Sequence, residues 1–357
     1  MAAGVLDAHH LVNLQTQGQS FNVSSKESEM AAQLLCRLCP IGFVLLTLST
    51  VATSSQAQPF PSSVIRIVVS AAAGTPPDII SRVVANELAQ SEGWRMVVEN
   101  KVGAMQTIAG AEVLKQPADG YSILSVSLPG MAAPALLPSM SYRIETDFTP
   151  VIKLSTSYNV LVVHPAVAAK SITELVALLK SQPDKLNFSS GGFGTPAHLV
   201  GELFKLQNGV RAAHVPYRAL PQAIADLLNG TNHYQFVTTL PVIDLIATGK
   251  LRALAMAAPK RVLALQNVPT VVEEGFLELV VQDWNGYLVR SSTPNSIVVR
   301  LNEAINKALG KPEVKVALEK LGAEAAGGSP AEFGDFMNSQ LAYWGKVVMD
   351  SGIKMQQ

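Results

Sequence analysis

Apolar residues are grouped in short uninterrupted runs that alternate with longer amphipathic runs. The first short run is Ile65-Arg66-Ile67-Val68-Val69, and its branched residues are typical of a strand. The run that follows has the spacing of one helix face, with Ile79, Ile80, Val83, Val84 and Leu88. Gly74-Thr75-Pro76-Pro77-Asp78 separates the two. Thr75 is a candidate N-cap, Pro76 suits the first helical position, and Asp78 stands where a capping box places its acid.

The same order of strand, turn and helix returns near residue 190. Gly194-Thr195-Pro196-Ala197-His198 follows a strand-like run at residues 186–190 and precedes the apolar positions Leu199, Val200, Leu203, Phe204 and Leu206. A helix N-terminus carries free N–H groups and the positive end of a dipole, so each turn is a candidate anion site. Neither turn contains Lys or Arg. We predict that the two turns face each other and bind a small carboxylate between them.

The remaining chain continues the alternation. Further strands are predicted at residues 96–98, 121–126, 211–215, 234–238 and 251–256, and helices at 107–115, 171–180, 221–228 and 242–247 and after Pro294, Pro312 and Ser329. Such alternation predicts parallel sheets with helical crossovers, whose ligands lie at the carboxyl ends of the strands. Ser127 and Thr239 stand at such ends and join the candidate ligand contacts.

Breaks in this pattern suggest how the chain divides. Four prolines between residues 128 and 150 predict an irregular connection. A polar segment at residues 155–159 lies between two apolar runs, and we place the crossing between two lobes there. The return crossing is expected near Trp284 and Tyr287. The first lobe would comprise residues 58–157 and 283–357, with the C-terminal helices packed on it, and the second lobe residues 158–282.

Composition mainly excludes possibilities. The 357 residues are 48% hydrophobic and 15% charged, enough for about two domains with a large core. Formal net charge is zero and no local cluster of Lys or Arg stands out, so no nucleic-acid partner is expected.

Residues 1–57 read as a leader and signal peptide. An apolar run at residues 38–51 precedes a small-residue cleavage site, Ser55-Gln56-Ala57. The run is too short for a spanning helix, which needs about 20 residues. A buried helix of the domain is the alternative, but the Pro-rich stretch just afterwards argues against it. We expect an exported mature chain that begins near Gln58, whether translation starts at Met1 or at Met30.

Covalent chemistry has little support. Both cysteines, Cys36 and Cys39, lie in the leader, where they fit apolar signal positions better than a redox or metal motif. The mature chain then has no thiol, and it has no G-x-S-x-G elbow. An enzyme on the same scaffold is the alternative, but the sequence offers no candidate nucleophile for it.

The stretch Gly192-Phe193-Gly194-Thr195-Pro196-Ala197 matches the dinucleotide fingerprint G-x-G-x-x-A. The acid that would bind a ribose is missing from the next predicted strand, at residues 211–216, and Pro196 removes an N–H group. We therefore predict no cofactor. The same turn suits a carboxylate, through the hydroxyls of Ser189, Ser190 and Thr195 and the loop amides.

Several polar side chains allow two interpretations. His198 and His214 fall at the expected crevice, but no further metal-ligand pattern accompanies them, so no metal is predicted and His214 is assigned a structural hydrogen bond. Asp78 could contact a ligand amine or a water, although capping of its own helix is favoured. Arg218 could face an acidic ligand or only solvent.

Motifs along the whole mature chain point to one family. They include Val98-Glu99-Asn100-Lys101, Ala118-Asp119-Gly120-Tyr121, His214-Val215-Pro216-Tyr217, Val268-Pro269-Thr270 and Trp344-Gly345-Lys346-Val347-Val348. In these the chain resembles the Bug-type solute-binding proteins of tripartite tricarboxylate transporters. The resemblance implies an α/β fold of the type II periplasmic binding proteins. Each of its two lobes is a mainly parallel sheet flanked by helices, and a two-segment hinge joins them.

The resemblance also implies what is bound and where. The first ligand loop would be residues 71–78, with Ala73, Gly74, Thr75 and Asp78. The second would be residues 189–195, with Ser189, Ser190, Gly191, Gly194 and Thr195, followed by His198. The implied ligand is a di- or tricarboxylate or related organic acid, which a periplasmic, non-enzymatic monomer delivers to membrane permease subunits. A sensor that signals to a partner is the alternative.

This chain departs from the family pattern at the expected cleft walls. Thr75 stands in place of a glycine, the loop of Met105 and Gln106 lacks a glycine pair, and Ala219 lies in place of another glycine. We expect these residues to reshape the ligand site. Since Pro76 and Pro77 leave few donors, the first loop is expected to act through water and the second loop directly.

Overall fold

The computed structural model describes residues 60–137 and 139–353. The predicted signal peptide lies outside these residues. Among the helices that are described, none combines the length and apolarity needed to cross a bilayer.

The strands are β1 (Ile65–Val69), β2 (Met96–Asn100), β3 (Ser122–Ser127), β4 (Phe148–Val163), β5 (Asn187–Ser190), β6 (Ala213–Pro216), β7 (Tyr234–Thr238), β8 (Arg252–Met256), β9 (Gln282–Arg290) and β10 (Ala323–Ala325). The helices are α1 (Pro76–Glu92), α2 (Thr107–Leu114), α3 (Leu128–Leu136), α4 (Ile144–Asp147), α5 (Ile172–Ser181), α6 (Pro196–Asn208), α7 (Leu220–Leu228), α8 (Ile243–Ala247), α9 (Asn295–Leu309), α10 (Pro312–Glu319) and α11 (Pro330–Ser351). Short 3-10 turns occupy Ala104–Gln106, Leu263–Leu265 and Leu277–Leu279.

The strands form a continuous sheet in the order β2-β1-β3-β9-β4-β7-β5-β6, with β8 and β10 paired to β4. Pairing is parallel among β1, β2 and β3 and again among β5, β6 and β7, as the alternation of strands and helices predicts. The central strands β4 and β9 run antiparallel to their neighbours. They carry the chain between the two parallel groups in opposite directions.

β4 is one uninterrupted strand of 16 residues. Its first part, up to Tyr158, pairs with β9, and its last part, from Asn159, pairs with β7 and β8. The two apolar runs and the polar segment between them therefore form one strand. The polar segment stays extended because β9 and β10 flank it on both sides, and ladder hydrogen bonds depend on the backbone rather than on side-chain polarity.

The expectation of an irregular connection after β3 is also wrong, because α3 and α4 form there. Pro129 lies in the first turn of α3, where its missing N–H costs nothing. Pro134 lies inside the helix. Leu128 and Met131 are at most 1% exposed, so core packing holds this helix despite its prolines.

Two apolar clusters cover the two faces of the first parallel group. One contains β1 residues with α1, α9 and α10, and the other contains β3 residues with α3 and α11. Ser329 and Glu332 form the predicted capping box at the start of α11. This last helix packs on α3 and β4, as expected, and also on α6 of the second group, which the sequence did not indicate.

Candidate functional site

The two predicted anion turns share one hydrogen-bond pattern. In the first turn, defined as Gly74-Thr75-Pro76, both the N–H and the hydroxyl of Thr75 donate to the Ala72 carbonyl, at 3.3 and 2.6 Å. In the second turn, Gly194-Thr195-Pro196, the same groups of Thr195 donate to the Gly192 carbonyl, at 3.4 and 2.7 Å. The echo in the sequence is therefore also a structural repeat.

The residue four positions after each glycine completes the repeat. Gly74 and Gly194 are left-handed, with φ of 79° and 72°. The amide of Gly74 donates to Asp78 Oδ2 at 2.9 Å, and that of Gly194 donates to His198 Nδ1 at 3.0 Å. Asp78 and His198 are each 2% exposed. The two turns thus differ chiefly in charge, since one closes on a carboxylate and the other on an imidazole.

Asp78 neutralises the start of α1. Its carboxylate lies 2.9 Å from Arg82 Nη2 and accepts from Asn100 Nδ2 at 3.0 Å. Burial alone would raise the pKa of Asp78, but the hydrogen bonds from Arg82, Gly74 and Asn100 outweigh it and lower the pKa. The capping box expected with Thr75 is wrong in detail, because the Thr75 side chain makes no cap hydrogen bond. The Asp78 carboxylate, although paired with Arg82, already occupies this helix N-terminus and so disfavours a second anion from a ligand there.

His198 leaves the start of α6 without such a charge. Its ring stacks on that of His214 with centroids 4.1 Å apart. Burial, reinforced by the nearby charge of Lys205, lowers the pKa of His198 to about 4. Burial, reinforced by the neighbouring His198 ring, lowers the pKa of His214 to about 3. Both rings are therefore neutral near pH 7. The helix dipole of α6 has no internal anion among these residues, which favours an anionic ligand here over the first turn.

The hydroxyls of Ser189 and Ser190 belong to the scaffold of the second turn. Ser190 Oγ lies 2.7 Å from His214 Nε2 and also bonds both backbone groups of Gly192. Ser189 Oγ donates to Gln235 Oε1 at 3.2 Å. Both serines have 0% exposure, so neither hydroxyl is free to donate to a ligand in this conformation. His214 makes the structural hydrogen bond predicted for it.

Met105 packs on the second turn. It lies in a left-handed turn, residues 104–106, in which Ala104, Met105 and Gln106 have φ of 43°, 48° and 78°. A Cβ added to Gly194 would lie 2.7 Å from Sδ, Cε and Cγ of Met105, so the thioether packs on the bare face of that glycine. A left-handed non-glycine residue costs about 1–2 kcal/mol, and such strain is concentrated at functional segments.

Gln106 connects this turn to Ser127 at the end of β3. Its Nε2 donates to Ser127 Oγ, and the Ser127 amide donates to Gln106 Oε1 at 3.1 Å. Both residues are less than 8% exposed. Gly130 makes room for this contact, because a Cβ there would lie 2.7 Å from Gln106 Oε1. Ser127 is thus fixed at the end of β3 by the side chain of Gln106, a role of Gln106 for which the sequence offered no signal.

A row of buried polar side chains extends from Ser127 across the central strands. Ser127 lies opposite Asn285 of β9, and Asn285 lies opposite Ser155 of β4. Asn285 is 5% exposed and Ser155 1% exposed, and Asn285 Oδ1 has no hydrogen-bond partner among the described residues. Ser127 is a predicted ligand contact and Ser155 lies in the predicted lobe crossing, whereas no role was predicted for Asn285.

The other candidates have simpler surroundings. Ala73 is exposed at the surface of the first loop, and Arg218 is exposed as well. Thr239 is buried against Gly322, and Gly191 lies near the backbone of Leu220. Within the described ranges, no three His, Cys, Asp or Glu side chains are placed to hold a metal ion. The roles of the candidate residues as ligand contacts stay predictions.

Comparisons with known proteins identify the family of the chain. The profile described as tripartite tricarboxylate transporter family receptor matches residues 80–353. The protein BugT of Bordetella pertussis is 31% identical over 324 residues, which cover 90% of this chain and 99% of BugT.

Two solved structures are similar over most of the described chain. R. palustris Rpa4515 with adipate is 31% identical, with a TM-score of 0.74, over 83% of this chain and 99% of that one. MatC of Rhodopseudomonas palustris with bound malate is 29% identical, with a TM-score of 0.72, over 81% of this chain and 100% of that one. The fold is therefore the two-lobed α/β fold of periplasmic binding proteins. The chain belongs to the receptor family of the tripartite tricarboxylate transporters, a family of periplasmic solute-binding proteins.

Proposed function

We propose that this protein binds a small organic acid between its lobes and delivers it to the permease subunits of a tripartite tricarboxylate-type transporter. The observation that carries the proposal is the charge difference between the two matching turns. The second turn closes on a neutral His198, while the first turn already holds the Asp78 carboxylate. A ligand carboxylate is therefore favoured at the second turn, and the first turn would contact the ligand through water.

The proposal includes two lobes and export. The lobes would be residues 58–157 with 283–357, and residues 158–282, and the change of partners along β4 after Tyr158 supports this division. Residues 1–57 would be removed on export to the periplasm, where the mature protein acts as a binding protein without catalysis. Mass spectrometry of the exported protein should find Gln58 or a near neighbour first, and an intact leader would contradict this.

Calorimetry with mono-, di- and tricarboxylates tests carboxylate binding directly. The sharper test changes the charge at the second turn with a matched pair, His198→Asn and His198→Asp. Both keep an acceptor for the Gly194 amide, but only Asp adds an anion. At an effective dielectric constant near 20, two unit charges about 8 Å apart repel by about 2 kcal/mol, so His198→Asp should lose roughly thirtyfold in affinity relative to His198→Asn.

The first turn supplies the control. Asp78→Asn also keeps an acceptor for the Gly74 amide and removes an anion, so it should leave carboxylate affinity unchanged or raise it. Circular dichroism should show each variant folded before its affinity is compared. If the wild type binds no organic acid, or if His198→Asn and His198→Asp bind one equally, the charge argument fails.

A further inference from the structure

Ser127, Asn285 and Ser155 form a buried row, here called the polar row. Its members lie directly opposite one another on β3, β9 and β4. Residues in such register place their side chains on the same face, with Cβ atoms about 4.5–5.5 Å apart. Three polar side chains therefore meet at the strand ends where the chain passes between the parallel groups.

The face of the sheet that carries the row is the one beneath α1. Two positions further along β9, Tyr287 points to the same face and belongs to one apolar cluster with Ile80 and Val84 of α1. A crossover helix runs back along its sheet, so the N-terminus of α1 lies at the carboxyl ends of β1 and β3. Asn285 is at that end of β9, since it pairs with the last residue of β3. The polar row thus lies at the same end of the sheet, and on the same face, as the first turn, Gly74-Thr75-Pro76.

Contacts also connect the polar row to the second turn. Ser127 is held by Gln106, and the preceding residue, Met105, packs on Gly194. One chain of contacts therefore joins the polar row to the turn where the ligand carboxylate is proposed to bind.

Asn285 supplies the evidence for a ligand group. Its Oδ1 is buried without a partner among the described residues. Buried polar atoms are nearly always hydrogen-bonded, and each exception calls for a partner. An amide oxygen accepts, so the partner must be a donor, and a carboxylate cannot serve. Gln106 already donates to the neighbouring Ser127 hydroxyl, so it does not fill this role.

We propose that Asn285 is a specificity-determining residue that accepts a hydrogen bond from a hydroxyl or ammonium group on the carbon next to the ligand carboxylate. The inference rests on the proposed function and narrows it, from organic acids in general to acids that carry a donor beside the carboxylate. Ser127 and Ser155 support the position of Asn285 from both sides.

Matched ligands test this in the intact protein. Succinate, malate and aspartate differ only in a hydrogen, hydroxyl or ammonium at one carbon, and tricarballylate and citrate differ by one hydroxyl. Calorimetry should show at least one substituted acid binding roughly fivefold or more tighter than its unsubstituted match, the effect of one hydrogen bond. Tighter malate or citrate identifies a hydroxyl, and tighter aspartate an ammonium group.

Asn285→Leu should remove this preference while leaving succinate or tricarballylate binding within about twofold. The control is Asn232→Leu. Asn232 is 1% exposed, and its Oδ1 also has no partner among the described residues. Its Nδ2, however, donates to the hydroxyl of Tyr217, which directly follows β6 in the second parallel group. The Asn232 variant should keep the wild-type preference. Should Asn285→Leu fail to fold, Asn285→Ala withdraws the acceptor with a smaller change.

The outcomes separate the two proposals. If the wild type binds no carboxylate, the proposed function fails. If it binds succinate or tricarballylate as tightly as the substituted acids, or if the Asn285 variants keep the preference, the role of Asn285 is overturned while carboxylate binding stands.

Discussion

The contact between Met105 and Gly194 makes a quantitative prediction about Gly194→Ala. Gly194 has a φ of 72°, and its added Cβ would lie 2.7 Å from three side-chain atoms of Met105. Gly209 offers a matched control, because it is also left-handed, with a φ of 58°, yet has nothing within 4 Å of its added Cβ. Both substitutions force alanine into the same backbone conformation, and only one also creates a clash.

The two costs can be estimated separately. A left-handed alanine costs about 1–2 kcal/mol, less the ~0.4–1 kcal/mol gained because alanine restricts the unfolded chain. Gly209→Ala should therefore lower the free energy of unfolding by about 1 kcal/mol. Overpacking adds roughly 1–3 kcal/mol, so Gly194→Ala should lower it by about 2–4 kcal/mol. Because Cγ of Met105 is among the close atoms, the whole thioether has to move and cannot simply swing its methyl away.

Urea unfolding with linear extrapolation measures these values, provided that the slope is unchanged. Met105→Ala removes the obstacle, so the double variant should recover about 1–3 kcal/mol relative to the sum of the single changes. Equal costs for Gly194→Ala and Gly209→Ala, or a strictly additive cycle, would show that Met105 does not pack on Gly194 in solution.

Two further predictions concern strain and pH. Ala104 is exposed and has a φ of 43°, so Ala104→Gly should be neutral or should stabilise the protein by up to about 1 kcal/mol. The control, Ala342→Gly on the exposed side of α11, should cost about 1 kcal/mol of stability. Equal losses of stability in urea unfolding would rule out strain at Ala104. The lowered pKa values of His198 and His214, about 4 and about 3, mean that the unfolded chain binds more protons below its histidine pKa of about 6.5. The stability contributed by these two neutral rings should therefore be fully present above about pH 6.5 and fall towards pH 4, by up to about 1.4 kcal/mol per pH unit for each histidine. Unfolding midpoints that do not change between pH 7.5 and 5 would contradict the neutral state of the stacked rings of His198 and His214.

Local patterns predicted most of the secondary structure. The turn Gly194-Thr195-Pro196 could be recognised because a left-handed glycine, an N-cap hydroxyl and a first-turn proline act within a few residues of one another. Strand and helix periodicity likewise depends on neighbouring positions only. The prediction failed at α3, where burial of Leu128 and Met131 outweighs the prolines.

The candidate site shows the same division. The amino-acid sequence by itself determined the two matching turns and the neutral or acidic residue that closes each of them. Tertiary structure alone decided that Met105 covers Gly194, that His214 engages Ser190, and that Asn285 lies between polar partners. These contacts join residues far apart in the chain, so they depend on strand register and on how the helices pack, and short-range patterns carry no information about either.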